Sequence, residues 1–415
     1  MWAILKRNRT YRYLWLGMTT SRAGDILFDL AILFTAYQQY HSARVIAGIV
    51  VAQALPWMLL SPASGFIADR RNRKAILIGM DILRAVFVVL LAFHQSLVIM
   101  YAVCFVLETA STTYSSARSA VMPELVGSDL PEAVSVSQVT LQWLNVLTPF
   151  ISGVLLVAIG LRWPFLLDAA TFLISAALTW PIAIPTVTPL CAGLDLSDAR
   201  DGHDSWYAGV QFLLTHSWPL FLVLFALGYY FSNSLLNIMT VVIVGETITA
   251  SPLLYAIIVG AQAVGTYLAA LAIQKILHCS REQRTKIILA GGAIGGMALL
   301  FLPFAAGTFI LMFIAWLIYG AGEGGREISS NASFAAAIPQ KMRGRVYGVA
   351  NGLLNISPLL AAVLSSTIGS TAQWRDIYYV DGAILIIMSG LAWCWIKTFG
   401  YRSMYFEEDT TSLTI

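Results

Sequence analysis

Residues 70–93 read RRNRKAILIGMDILRAVFVVLLAF. Four of the first five side chains are basic, and the nineteen residues that follow, 75–93, are apolar at every position except Gly79, Asp81 and Arg84. As a helix rising about 1.5 Å per residue, such a run spans most of a hydrocarbon core roughly 30 Å thick. It is continuously apolar, whereas a barrel strand alternates over about ten residues, so it reads as a membrane-crossing helix with a cationic anchor at one end.

The rest of the chain repeats this pattern. Of 415 residues, 58% are apolar and 11% charged, against roughly 25% charged in an ordinary soluble domain. Twelve spans are predicted: 13–40, 45–68, 75–93, 97–121, 135–160 and 164–184, then 217–245, 253–275, 286–304, 308–331, 345–369 and 376–398. The first is too long for a signal-peptide core and lacks a cleavage pattern, so it is expected to stay as an anchor. The expected fold is therefore all-α and integral to the membrane, two pseudo-symmetric six-helix halves at 1–184 and 217–398 with a polar linker at 185–216 and a tail at 399–415. Within the linker, Trp206, Val210, Leu213 and Leu214 share one helical face, which predicts either a short amphipathic helix at the membrane surface or the start of span seven.

Two short matches support the internal repeat. KAILIG at 74–79 parallels KIILAG at 286–291, an offset of 212; Leu144, Asn145 and Pro149 parallel Leu354, Asn355 and Pro358, at offsets of 210, 210 and 209. Orientation follows from the basic residues. Lys6, Arg7, Arg9 and Arg12 precede span one, Arg70, Arg71, Arg73 and Lys74 precede span three, Lys275, Arg281, Arg284 and Lys286 follow span eight, and Lys341, Arg343 and Arg345 follow span ten. The alternate loops hold Arg44, Arg162 and Arg375, which predicts cytoplasmic termini in the inner membrane of the cell. Because every basic cluster sits at a membrane boundary, topology accounts for them without nucleic acid as a partner.

The loop Gly65-Phe-Ile-Ala-Asp69-Arg70-Arg71-Asn72-Arg73-Lys74 resembles the signature of the major facilitator superfamily: a glycine, an aspartate four residues on, then a basic cluster between spans two and three. Gly24-Asp25, Arg118 followed by Pro123-Glu124-Leu125-Val126, Leu167-Asp168 through Phe172, and Arg343-Gly344-Arg345-Val346 are similar to the bacterial drug-efflux branch that includes macrolide and enterobactin exporters. The resemblance implies that Gly65, Asp69, Arg70, Arg73 and Arg118 help to gate alternating access. Around Asn145 to Gly153, Pro149 and Gly153 are present but two glycines of the family's span-five antiporter motif are absent.

Ionisable groups within spans cost at least about 2.5 kcal/mol each on insertion scales, so each needs a partner, a hydrated cavity or a task. In span one, Arg22, Asp25 and Asp29 share a face, with one carboxylate in excess of the arginine; Glu323, Arg326 and Glu327 do the same in span ten, within a glycine-rich stretch that permits either local unwinding or a tight helix crossing. Glu108 in span four has no local basic partner, whereas Asp81 and Arg84 can neutralise one another. These carboxylates are candidates for binding protons or substrate, and Gln142, Trp143, Tyr229, Tyr230, Phe231, Met239 and Trp316 are candidates for an apolar cavity lining.

No phosphate-binding loop occurs, the four cysteines form no pair motif, and the five histidines form no ligand cluster, so no cofactor, metal or catalytic residue is expected. The function expected is secondary transport, a proton-coupled efflux of an amphipathic small molecule by alternating access, with the lipid bilayer as surroundings. A siderophore exporter or nutrient carrier of the same fold, and a membrane sensor without turnover, are the alternatives.

Overall fold

The structure, a computed structural model, describes residues 2–183, 202–247, 252–274, 281–305, 307–339, 342–368 and 374–399. Among these residues the regular elements are helices: α1 (Ala3–Arg7), α2 (Arg9–Tyr40), α3 (Ala43–Arg70), α4 (Arg73–Phe93), α5 (Leu97–Val126), α6 (Leu130–Ile159), α7 (Arg162–Thr179), α8 (Gly202–Thr215), α9 (Ser217–Thr247), α10 (Pro252–Gln274), α11 (Arg281–Ala305), α12 (Phe309–Ala337), α13 (Arg343–Leu354), α14 (Ser357–Ile368) and α15 (Trp374–Phe399). A 3₁₀ turn, Gly127–Asp129, joins α5 to α6. Helices α2 to α7 and α9 to α15 overlie the predicted spans.

Eight stretches among the described residues are long and apolar enough to cross a membrane, one of them running through both α5 and α6. Helices α2, α7 and α12 fall outside that set. They are the helices that carry Arg22, Asp25 and Asp29, Asp168, and Glu323, Arg326 and Glu327, and these charges lower their mean hydropathy.

Local chemistry sets the helix ends. The Asn8 side chain accepts from Tyr11 N at 2.9 Å and donates to Leu125 O at 2.9 Å, so the start of α2 is capped and tied to the end of α5. Asn72 caps α4 by accepting from Lys74 N and Ala75 N. In α5, Thr109, Thr112, Thr113 and Ser116 each donate to the carbonyl four residues back, which satisfies hydroxyls that would otherwise be unpaired in a membrane.

The single helix expected over 345–369 is two helices, interrupted at Asn355 and Ile356. Pro358 has no N–H to offer the Leu354 carbonyl and its ring crowds that carbonyl, so α13 stops and α14 begins with the proline in its first turn.

Contacts divide the chain into two compact units. The first comprises residues 1–194, 235–260 and 358–374. In it α2 packs on α6 and α7, α3 on α5, and α4 on α5 and α7. One apolar core surrounds Ile32, Val88, Leu91, Met100 and Phe165, and a second surrounds Leu14, Leu77, Ala117 and Val121. Later segments join this unit: Phe34 stacks on Tyr255 at 6.3 Å between ring centroids, Tyr37 Oη donates to Val242 O at 3.5 Å, and Arg44 Nε donates to Ser366 O at 3.0 Å.

The second unit comprises residues 195–234, 261–357 and 375–415. Glycines let its helices touch: a Cβ on Gly322 would lie 2.6 Å from Gly291 O, and one on Gly324 would lie 2.5 Å from Thr266 O. Helix α12 is continuous through the Gly320–Gly325 stretch, so these glycines serve close crossing and not the unwinding that the sequence also allowed. The predicted linker up to residue 201 lies outside the described residues. From Gly202 it forms α8, separate from α9, with Phe212 and Leu213 buried and Val210 packed beside them in a core with Val346 and Val349 of α13. The expected apolar face is corrected in one respect: Leu214 is 69% exposed, and Phe212 takes its place. The Trp206 side chain lies outside the described set.

Candidate functional site

A cavity of about 330 Å³ lies within the first unit, bounded by Phe28, Leu107 and Phe172 of one apolar core and by Tyr114 of the other. Its walls carry the carboxylates of Asp25, Asp29, Glu108 and Asp168 and the guanidinium groups of Arg22, Arg84 and Arg118. Four acids thus face three bases, and Trp57, Phe28, Phe172 and Tyr114 supply apolar wall between them.

Each charge reaches the cavity by helical register. Arg22, Asp25 and Asp29 project from one face of α2, and Arg22 pairs with Asp25 at 3.6 Å. Asp29 Oδ1 accepts from Gln53 Nε2 at 2.9 Å, and Glu108 Oε2 accepts from Trp57 Nε1 at 2.7 Å, so α3 supplies the neutral donors for two carboxylates on other helices. Glu108, which has no basic neighbour in sequence, is thereby held by an indole.

Arg84 is the most deeply buried of the three cations. It is 2% exposed, bonded to the buried Asp81, and lies 3.8 Å from Asp25 Oδ1. Its guanidinium carbon sits 4.3 Å from the Phe172 ring centroid and 4.8 Å from that of Tyr114, so two aromatic rings pack against the charge. The self-contained pair expected from Asp81 and Arg84 does form, and the same guanidinium also serves the cavity. Sequence reasoning therefore missed Arg84 as a wall residue.

It also missed Asp168 and Trp57. Asp168 is buried, and Gly24 makes room for it: a Cβ at that glycine would overlap Asp168 Oδ1 and Thr171 Oγ1. Asp168 Oδ2 has no hydrogen-bond partner in the described structure. The charge itself was a readable signal, since an acid in the first third of a span faces the same penalty as Asp25 or Glu108.

Among the residues expected to gate, Arg118 lines the cavity, its guanidinium against the Met18 sulfur. Arg73 forms an ion pair with Glu124 and donates to Ala120 O at 3.4 Å, tying the start of α4 to the last turns of α5. The side chains of Gly65, Asp69 and Arg70 lie outside the described set, as do those of Arg343, Gly344 and Arg345.

In the second unit, Glu323 accepts from Asn233 Nδ2 at 2.9 Å and from Gln262 Nε2 at 2.7 Å. Arg326 does not neutralise a carboxylate as the span-ten spacing suggested. Among the described residues it has no ion-pair partner within 4.0 Å; instead its guanidinium lies 3.9 Å from the centroid of the buried Tyr229 ring. Glu327 is partly exposed. Of the suggested aromatic lining, Tyr229 and Trp316 are buried, whereas Trp143 and Tyr230 are exposed on the helix surface.

A chain of apolar helices that encloses a charged, aromatic-walled cavity has the construction of a membrane carrier. The profile of the Major Facilitator Superfamily matches residues 14–277 and 222–402, and the chain belongs to that superfamily of multi-pass membrane transporters. It is 26% identical over 385 residues to the MFS-type transporter YfiS of Bacillus subtilis (strain 168), covering 90% of this chain and 89% of the relative. It is 22% identical to macrolide efflux protein A of Streptococcus pyogenes over 385 residues, covering 91% and 93% respectively. The fold is shared with the crystal structure of a bacterial homologue of the iron transporter ferroportin, at a TM-score of 0.73 and 14% identity, covering 93% of this chain and 98% of the other.

Proposed function

We propose that this transporter exports a cationic amphipathic small molecule across the inner membrane in exchange for protons. Both termini are cytoplasmic, and the halves 1–184 and 217–398 move against each other in alternating access. The observation that carries the reading is the cavity wall: four carboxyl groups against three guanidinium groups, with indole, phenol and phenyl rings between them. Apolar rings favour an apolar body, and the surplus carboxylate favours a positive charge on it. Bound protons and a bound cation compete for the same carboxylates, which is what exchange requires. Macrolides suit this description, and the similarity to a macrolide efflux protein supports the same direction of transport.

The test is flux in proteoliposomes holding the purified protein, with and without an imposed pH gradient, using a macrolide, a cationic dye and an uncharged dye of similar size. Gradient-driven movement of the cationic compounds, lost in Asp25→Asn or Glu108→Gln, is the expected result. Equal movement of the uncharged dye would sink the charge selectivity. Binding without flux in every condition would replace the carrier with a sensor.

A further inference from the structure

Asp381, in the third turn of α15, belongs to neither the cavity nor the expected set of site residues. It is 1% exposed; its Oδ2 accepts from Ser232 Oγ at 2.8 Å, and its Oδ1 has no hydrogen-bond partner in the described structure. Among the described residues no cation lies within 4.0 Å of it.

The surroundings give it little else. Helix α9 contributes Tyr229 beside Ser232, and α12 contributes Tyr319, which stacks on Tyr229 at 6.1 Å, followed along its face by Glu323 and Arg326. Glu323 is held by Asn233 and Gln262, and Arg326 by the Tyr229 ring. Helix α11 meets α15 where Gly296 faces Gly382, and its charged residues, Arg281 to Lys286, are at least ten positions away, about 15 Å along the helix. On α15 itself, Arg375 and Asp376 are exposed in the first turn and Lys397 lies in the last.

We propose that Asp381 is a proton-binding residue of the transport cycle, neutral in the conformation described here and ionised in another. A buried carboxylate with one hydroxyl donor and no cation is strongly disfavoured over the neutral acid. A metal ion is a poor alternative occupant, because hard cations take six or more oxygen ligands and few oxygens gather here. On ionisation the carboxyl O–H bond breaks and the proton passes to water admitted in that other conformation, with Ser232 Oγ still donating to the carboxylate left behind. The assignment deepens the proton-exchange reading and rests on it for its place in the cycle.

Two measurements on the full-length protein test it. Infrared difference spectra of wild type against Asp381→Asn are expected to show the C=O band of a protonated carboxyl, persisting at neutral pH, that the variant lacks. Asp381→Glu is expected to shift that band, and serves if the asparagine variant does not fold. Identical bands in all three proteins would overturn the proposal. In proteoliposomes, Asp381→Asn is expected to keep substrate counterflow and lose gradient-driven flux, and undiminished gradient-driven flux would overturn it. If the wild type moves no compound at all, the carrier reading fails, while the infrared band still decides whether Asp381 holds a proton.

Discussion

The indole Nε1 of Trp57 on α3 donates to Oε2 of Glu108 on α5 at 2.7 Å, so an aromatic side chain is the hydrogen-bond donor to a carboxyl group that has no basic neighbour in sequence. Trp57→Phe keeps the ring and removes the donor. A buried acceptor left unmatched costs about 1–3 kcal/mol. The expected outcome is lower thermal stability and slower flux, with part of the stability returning in Trp57→Phe combined with Glu108→Leu. Strictly additive losses in the double variant would show that the bond contributes nothing.

Arg84→Ala leaves Asp81 buried beside an empty space. Breaking one side of a buried pair costs about 3–5 kcal/mol, whereas apolar replacement of both partners is often neutral. Arg84→Met with Asp81→Leu should therefore unfold close to the wild-type temperature in a thermal melt. Flux should remain lost in it, since Asp25 and the two aromatic rings have lost the guanidinium.

Gly24→Ala places a methyl group on Asp168 and Thr171, whereas Gly79→Ala meets no atom within 4 Å. Overpacking costs about 1–3 kcal/mol. The first variant should lose stability and flux together, and the second should be neutral or slightly more stable, as alanine favours helix. Equal thermal melts for the two would contradict the packing described at Gly24.

Reversing one charge, Arg73→Glu, opposes Glu124 and should slow flux. Restoring the pair in the opposite sense, with Glu124→Arg added, should recover most of it. No recovery would leave Arg73 as a topological anchor alone.

Leu213→Asp should release α8 from α13, seen as faster proteolysis after residue 201 in the purified protein. An unchanged digestion pattern would mean that Phe212 alone holds the helix.

Much of this was legible in the sequence, because the membrane constrains composition so strongly. Residues 75–93 read as a span without any other information, and the charges of α2 shared a face by spacing alone. The distant partners were not legible. Nothing near Glu108 in sequence points to Trp57, fifty-one positions earlier, or near Arg84 to Asp25 and Phe172, because periodicity gives the face of a helix and not which helix it meets. Arg326 shows the converse error: an acid three residues away suggests a pair, yet the side chain turns to the Tyr229 ring on another helix. Asp381 was visible as an acid inside a span, and its isolation only emerged once its neighbours were known.

The interruption ahead of Pro358 has a mechanical consequence. In an unbroken helix, bending stretches hydrogen bonds along the outer side, and the resistance is shared over several turns. Between Leu354 and Pro358 one of those bonds does not exist to be stretched, so flexure concentrates there at small energetic cost. One of the five boundaries between the two compact units falls at the same peptide link, between Ser357 and Pro358. This stretch is therefore expected to flex as a compliant joint in an otherwise stiff rod, and removing the proline should turn a joint into a strut.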